Sequence, residues 1–230
     1  MGRLIPPVAK EKVLQWFPMA EGSGDVVGYS GGTRNGPTWV EDDKWMGGYA
    51  LSGDGVDDYV ETTNWGEFGA GLDSGWAVAF TIENTTGEGH ILGAVTSGNS
   101  ELRIAMNKFE AETGELRMSV RDDDDQLTRV KTDENYHDGN VHRVILNSPT
   151  NDVRDARFHV DAIAPPYSIP TDNGLSTNFT RFNETVPLFA RLNDDLIDDN
   201  IDAVLDDVII YGDSLTESEI QQDYLRQHWS

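Results

Sequence analysis

Short runs of alternating apolar and polar residues recur along the whole chain, each closed by a cluster of glycine, aspartate or asparagine. "VLQWFPM", "DYVETT", "WAVAFTIEN", "HILGAVT", "LRIAMN", "ELRMSVR", "QLTRVKT", "VHRVILNS", "ARFHVDA" and "AVLDDVIIYG" are the runs; "EGSGD", "SGDGVDD", "TTGEG", "TSGNS" and "YHDGN" are among the closures. A period of two puts successive side chains on opposite faces of a strand, and Gly and Asp tolerate the backbone of tight turns. Many short strands joined in this way restrict the fold to an all-β sandwich or barrel. The strand signals run on without a linker, so residues 13–230 read as one domain with room for a large core. Residues 164–187, "APPYSIPTDNGLSTNFTRFNETVP", are the least regular and are expected to form a long surface loop. One helix is expected, near the end, where "IDAVLDDVIIYGDSLTESEI" (201–220) changes from alternation to a capping signature. Thr216 fits the N-cap, Glu219 completes a capping box, and Leu215 and Ile220 stand where a hydrophobic staple belongs. Ile220 and Tyr224 share one helix face and should dock it on the sheet.

Charge decides the setting. The chain has 41 acidic and 17 basic residues, a formal −24, where a small soluble domain is comfortable at a magnitude of roughly 2–8. Such self-repulsion is relieved in molar salt, which screens charges within about 3 Å. The bases are twelve arginines and only five lysines. This is the composition of a protein from an extreme halophile or its virus. The acids are scattered rather than blocked, which counts against a nucleic-acid mimic. No basic patch could neutralise phosphates, so nucleic acid is not an expected partner. There is no cysteine, which excludes disulfides, thiolate metal sites and cysteine nucleophiles. No stretch is apolar enough to span a membrane as a helix. "MGRLIPPVAKEKVLQWF" lacks the apolar core and cleavage site of a signal peptide. The expectation is therefore a mature form, or a route out of the cell that bypasses secretion.

Residues 1–12 form a separate arm by charge. Three bases and one acid make it +2, while the other 14 bases and 40 acids make the rest −26. With Arg3, Leu4, Ile5, Lys10, Lys12 and a Pro-Pro pair, it reads either as an assembly element docking on a neighbouring subunit or another acidic protein, or as an ordinary frayed terminus. Deleting it is expected to leave the fold intact and abolish a homo-oligomer, cyclic by preference.

Four stretches, in order, resemble the laminin G-like (LamG-type) domains of the concanavalin A-like jelly-roll superfamily: "LQWFPMAEGSGDVVGYSGGTRNG" (14–36), "GGYALSGDGVDDYVE" (47–61), "YHDGNVHRVILN" (136–147) with "RFHVDA" (157–162), and "LDDVIIYGDSLTESEI" (205–220). The resemblance implies a sandwich of two antiparallel sheets, a last strand lying beside the first, and a short helix closing the sandwich edge. It also implies adhesion or recognition outside cells, and in some members calcium. The sequence departs at Ala162, where the family has a glycine after the Val-Asp turn, so that hairpin is expected to be reshaped.

The chemistry-bearing candidates are few. Asp54, Asp57 and Asp58 could present carboxylate oxygens to calcium, which takes six to eight hard ligands; the same residues also serve as turn formers. "RDDDDQ" (121–126) reads as a solvated hairpin tip. Asp206 and Asp207 lie inside an apolar strand, and strict alternation allows at most one of them into the interior. Trp39, Trp45, Trp65 and Tyr167 lie near turns and are candidate ligand-binding platforms, as is Trp229, while Trp16, Trp76 and Tyr211 read as core. A glycosidase needs two converging carboxyls; the nearest pair, Glu110 and Glu112 in "FEAETGE", lacks the family's aspartate. His142 alternates with Val144 and Leu146 and reads as a core histidine, whereas His159 has the polar phase. Asn84, Asn178 and Asn183 head glycosylation sequons. Together these point to a non-catalytic module acting by surface contact with protein or glycan partners. A virion surface (decoration, turret or tail) or a cell surface at high salt is the expected setting, and a lectin, with or without the help of calcium, is the alternative.

Overall fold

The structure is a computed structural model that describes residues 4–26, 31–62, 75–84, 87–95, 101–106, 114–121, 126–150, 152–172, 186–193 and 196–227. Two seven-stranded sheets face each other. In the first the order is β12 (Arg157–Val160), β11 (Val141–Ser148), β6 (Trp76–Glu83), β16 (Asp202–Tyr211), β4 (Tyr49–Asp54) and β3 (Thr38–Glu41), with β1 (Val13–Phe17) paired to the far half of β16. In the second it is β13 (Tyr167–Asp172), β10 (Leu127–Asn135), β9 (Glu115–Arg121), β8 (Glu101–Met106), β7 (Gly89–Val95), β14 (Arg191–Asn193) and β15 (Leu196–Asp198). A small pair, β2 (Gly32–Asn35) with β5 (Tyr59–Thr62), adjoins the second sheet through Leu188, which exchanges backbone bonds with Val60 at 3.0 and 3.1 Å and bridges Leu92 of β7. All pairings among the described residues are antiparallel except β7 with β14, where Leu192 lies beside Ala94 in a parallel register.

Alternation builds the core. Trp76, Val78, Phe80 and Ile82 of β6, Val144 and Leu146 of β11, and Leu205, Val208 and Ile210 of β16 meet Leu102, Ile104, Leu116, Met118 and Val130 of the second sheet. The last strand does lie beside the first, as the resemblance implies, with Trp16 opposite Ile209.

The C-terminal helix α1 (Glu217–Gln227) starts as expected: Thr216 Oγ1 accepts from the Glu219 amide at 3.3 Å, and Glu219 accepts in turn from the Thr216 amide at 2.7 Å. Its position corrects the expectation of an edge closure. A second apolar cluster of Ala77, Ala79, Ile145, Ile209, Tyr211, Leu215 and Ile220 seats it on the outer face of the first sheet. Two alanines in β6 leave room for the helix to approach. Asn147 clamps the entry, accepting from the Leu215 amide at 2.8 Å and donating to the Leu215 carbonyl at 3.1 Å.

One further expectation is corrected, and two other places are defined. The 164–187 stretch is not all loop, because residues 167–172 are β13, the outer strand of the second sheet; 173–185 lie outside the described residues. At Ala162 the hairpin is a tight two-residue turn: Val160 and Ile163 exchange backbone bonds at 2.8 and 2.9 Å across Asp161 (φ 52°) and Ala162 (φ 64°). Alanine thus adopts a left-handed conformation that costs an L-residue roughly 1–2 kcal/mol. Asn84 is buried, and its amide donates to the Asp202 carbonyl at 2.7 Å, so the folded chain does not offer that sequon.

Candidate functional site

The outer face of the first sheet carries the chain's most unusual chemistry, which begins with one extra residue in β16. Asp206 lies opposite Thr81, but Ile209 lies opposite Ala79, so three steps on β16 match two on β6. This is a β-bulge, with Asp207 at φ 47°. Leu205 and Val208 both face the sandwich core. The two aspartates between them are therefore both turned away from it, and both are fully buried beneath the helix. The expectation of opposite faces assumed an unbroken period of two, and the bulge removes that assumption.

Around these carboxylates a buried ionic network closes. Arg143 of β11 donates from Nε to Asp223 of α1 at 2.6 Å and from Nη1 to the Asp207 carbonyl at 2.8 Å; its Nη2 lies 3.1 Å from the Asp207 carboxylate. Arg226 of α1 bonds Asp207 and lies 3.2 Å from Asp223. Trp16 of β1 donates its indole N–H to Asp207 at 2.7 Å. Burial opposes ionisation of Asp223, but the two guanidinium groups outweigh it and hold its pKa below the usual carboxylate range. Asp206 is the converse. Burial, and then the neighbouring Asp207 charge, push its pKa well above the carboxylate range, and it accepts from the Met46 amide at 2.8 Å. Two arginines thus face three buried aspartates within one network.

Sequence reasoning missed Arg143, Asp223 and Arg226. It paired Ile220 with Tyr224 as the docking face, but the buried residues of α1 are Ile220, Asp223 and Arg226, while Tyr224 is half-buried. An Asp-x-x-Arg pair on a closing helix opposite an arginine inside an apolar strand was the available signal. Charged residues on helices are usually solvated, and this masked it.

Beside the network opens a pocket of about 370 Å³, lined by Asp43, Lys44, Val141, Arg143, Asp161, Tyr224 and Gln227. Arg143 forms its floor with its charge already matched by two aspartates. Lys44 stands at the rim, 2.6 Å from Glu83. Asp161 is held on both oxygens, accepting from the Arg143 amide at 3.0 Å and lying 2.8 Å from His142 Nδ1. Acceptors, an amide and an aromatic ring thus converge on one concave place of the size small ligands use.

His142 is buried at the core margin as expected, its other ring nitrogen 3.1 Å from Asp138. The bond to Asp161 raises its pKa above the ordinary value of 6.5, and the bond to Asp138 adds to this against the effect of burial. A raised histidine pKa stabilises the fold fully below about pH 6.5, and this is lost as pH rises through the folded value. The melting-temperature gap between the parent and His142→Gln should therefore be largest at mildly acid pH and shrink as pH rises through the folded value. A gap independent of pH would show that the histidine acts only by its shape. His159 does lie on the face opposite Phe158 and Val160. It is buried there opposite Ile145, which pushes its pKa down.

The other expected site residues are dispersed. Asp54, Asp57 and Asp58 do converge, with one ligand oxygen of each within 4.8 Å of the others. Asp54 spends an oxygen on the Val56 amide at 2.9 Å and Asp58 one on the Asp54 amide at 3.0 Å, so these bonds account for the turn without a cation. Burial, partly offset by that amide, raises the Asp58 pKa, and the two neighbouring carboxylates push the same way. Trp45 is corrected: at 1% exposed it is core, not a platform. Trp39 is half-buried, its indole N–H donated to the Gly24 carbonyl at 3.1 Å. Trp16, expected in the core, is half-buried on the outer face. Tyr167 is exposed, but the Arg157 guanidinium covers one face of its ring, 3.7 Å from the centroid. Arg3, Trp65, Glu110, Glu112, residues 122–125, Asn178, Asn183 and Trp229 lie outside the described residues.

The described part of the basic arm lies on its own domain. The Ile5 carbonyl accepts from Arg226 at 2.8 Å, Ala9 packs on the helix cluster, and Lys12 pairs with Glu219 at 2.9 Å; Leu4 and Lys10 are exposed. The acidic partner found by Lys12 is its own helix cap.

A second polar face lies on the outside of the second sheet, where alternation lines up Arg103, Arg117, Arg129 and Lys131 across β8, β9 and β10. Arg103 bonds Glu101 at 2.6 Å and Lys131 bonds Glu115 at 2.7 Å. Burial, with repulsion from Arg191 and Arg129, lowers the Arg103 pKa despite Glu101.

The fold is thus a jelly-roll β-sandwich with a helix and a small polar pocket on its outer face. Solved structures place it among other such sandwiches. The receptor-binding domain of botulinum neurotoxin C/D mosaic serotype superposes with a TM-score of 0.65 at 10% identity, over 94% of this chain and 51% of that one. The binding domain of Paraclostridial Mosquitocidal Protein 1 gives 0.65 at 11%, over 93% and 52%. This chain therefore spans about half the length of each. Domain 4 of AbnA, a GH43 extracellular arabinanase from Geobacillus stearothermophilus solved in complex with arabinotriose, gives 0.64 at 14%, over 92% and 97%. At such identities the likeness establishes the fold. No family model matches the sequence, and comparison with curated proteins found no match.

Proposed function

We propose that this chain is a non-catalytic binding module that holds a glycan in the pocket beside α1. The observation that carries the reading is the convergence of Asp43, Asp161, Tyr224 and Gln227 around one cavity. Carboxylate and amide groups match the alternating donors and acceptors of sugar hydroxyls, and an aromatic ring packs on the apolar face of a pyranose or furanose. Both Asp161 oxygens are already engaged, which suits a fixed acceptor better than a proton carrier. A sandwich domain of nearly the same extent that was solved with arabinotriose supports the ligand class. The setting we propose is extracellular or on a virion at high salt, supported by the formal charge of −24.

Calorimetric titration in molar salt, first with arabino-oligosaccharides and then with sugars drawn from a glycan array, tests the reading. The parent should bind at least one of them, and Tyr224→Ala should weaken that binding by about tenfold or more with little change in melting temperature. A blank array with the folded parent would overturn the glycan assignment. Binding that survives Tyr224→Ala unchanged would move it away from this pocket.

A further inference from the structure

Both cations that line the pocket beside α1 are already shared between carboxylates. Lys44, at the rim, lies 2.6 Å from Glu83 and 3.9 Å from Asp42. Arg143, on the floor, lies 2.6 Å from Asp223 and 3.1 Å from Asp207. His142, behind Asp161, is placed in the same way, 2.8 Å from Asp161 and 3.1 Å from Asp138. No cation is left over to meet an acidic ligand. The lining acids differ from one another. Asp161 is engaged on both oxygens, whereas Asp43 is exposed and, among the described residues, has neither a hydrogen-bond donor nor a cation on its carboxylate. Its backbone is nevertheless fixed. The Lys44 amide donates to Asp42 Oδ1 at 3.0 Å and the Trp45 amide to the Asp42 carbonyl at 3.1 Å, which sets Asp43 at a central position of a closed turn. The pocket thus presents one carboxylate that is held in place and still open to a partner.

We infer that the pocket selects a glycan bearing a free amino group, with Asp43 as the residue that determines this specificity. The inference rests on the glycan reading above and adds to it the class of sugar. An ammonium group brings three donors and a charge, and its bond to a carboxylate is stronger than one between neutral groups. The rest of the sugar keeps its place against Tyr224, Asp161 and Gln227. The field of the whole chain acts in the same direction. At −24 it draws cations and repels uronates and sialates before any contact forms. Inside the pocket an acidic sugar would set its own carboxylate against Asp43 and Asp161, with both lining cations already paired. The site therefore discriminates by repulsion as well as by attraction. A neutral sugar loses only the charged bond. The expected order of affinity is amine, then neutral, then acid. Because Asp43 is exposed, salt screens its bond and narrows the preference.

Calorimetric titration of the full chain with oligosaccharides of one linkage reads this order. The probes are glucosamine oligomers, their N-acetylated counterparts and glucuronate oligomers; acetylation removes the charge and leaves ring and linkage unchanged. The parent should bind the glucosamine oligomer about tenfold more tightly than the acetylated one, and the glucuronate oligomer most weakly. Asp43→Asn should bring the first two level while keeping the parent's melting temperature. The preference should be larger at the lowest salt that keeps the fold than in molar salt. An acetylated or glucuronate oligomer bound as tightly as the amine would overturn the inference and leave the glycan reading standing. So would a preference that survives Asp43→Asn, or array hits confined to sugars without an amine. Spermidine, an amine with no sugar ring, is the control, and its binding as tightly as the glucosamine oligomer would overturn the sugar assignment. No binding of any sugar, among these oligomers or on the array, would overturn the glycan reading and this inference with it.

Discussion

Replacing Asp223 with alanine should lower the free energy of unfolding by about 3–5 kcal/mol. The substitution removes one of the two aspartates that pair with two buried arginines. Arg143 would lose its bond at 2.6 Å and Arg226 its contact at 3.2 Å, at a depth where solvent does not replace them. Asp207 alone would then face both cations. The loss measures the charge left behind rather than the worth of the pair, so a double variant, Asp223→Leu with Arg226→Met, should recover much of it. Chemical denaturation in molar salt, where exposed pairs contribute little, isolates the buried network. A loss below about 1 kcal/mol, the size of a surface salt bridge, would mean the helix does not seal the network from solvent. Acid should act like the mutation. The Asp223 pKa is lowered in the fold, so its contribution is present at neutral pH and lost as pH falls below the ordinary carboxylate value and through the folded one.

The second large effect should come from a single methyl group. Gly75 precedes β6 at φ +84°, and a Cβ there would stand 2.0 Å from the Ser148 carbonyl oxygen and 2.8 Å from the Pro149 carbonyl carbon. Both neighbours are backbone at the end of β11, paired residue for residue with β6 from Val141 opposite Glu83 to Ser148 opposite Trp76. Neither can rotate aside, so Gly75→Ala should cost about 3 kcal/mol or more, from the unfavourable φ together with the displaced strand end. Gly24→Ala is the control. It shares a positive φ of 72° but meets nothing within 4 Å, so it should lose only the conformational part, about 1–2 kcal/mol. Equal losses in the two variants would show that the close approach at Gly75 relaxes freely.

Which faces meet across the sandwich is legible in the sequence, because the relevant signals are local. Period-two runs such as "WAVAFTIE" and "VHRVILNS" set which side chains turn inward, and the Thr216–Glu219 box sets where the helix starts. The seat of that helix is not legible there. It depends on Ala77 and Ala79, which carry no helix signal of their own, and on a bulge in β16 whose extra residue exists only relative to β6. The site residues are misread for the same reason. Trp45 looks like a loop aromatic until the fold buries it to 1% exposure, and Asp223 and Arg226 look like a solvated pair until Arg143 stands opposite them.

By itself the sequence determined the all-β class, the inward faces of the strands, the capped C-terminal helix and the acid excess, since each follows from residue identity and spacing within a few positions. Only the tertiary structure decided the pocket and the ionic network. Burial, charge pairing and concavity arise between segments such as Arg143, Asp207 and Asp223 that lie far apart in the chain, and no local pattern records which of them will meet.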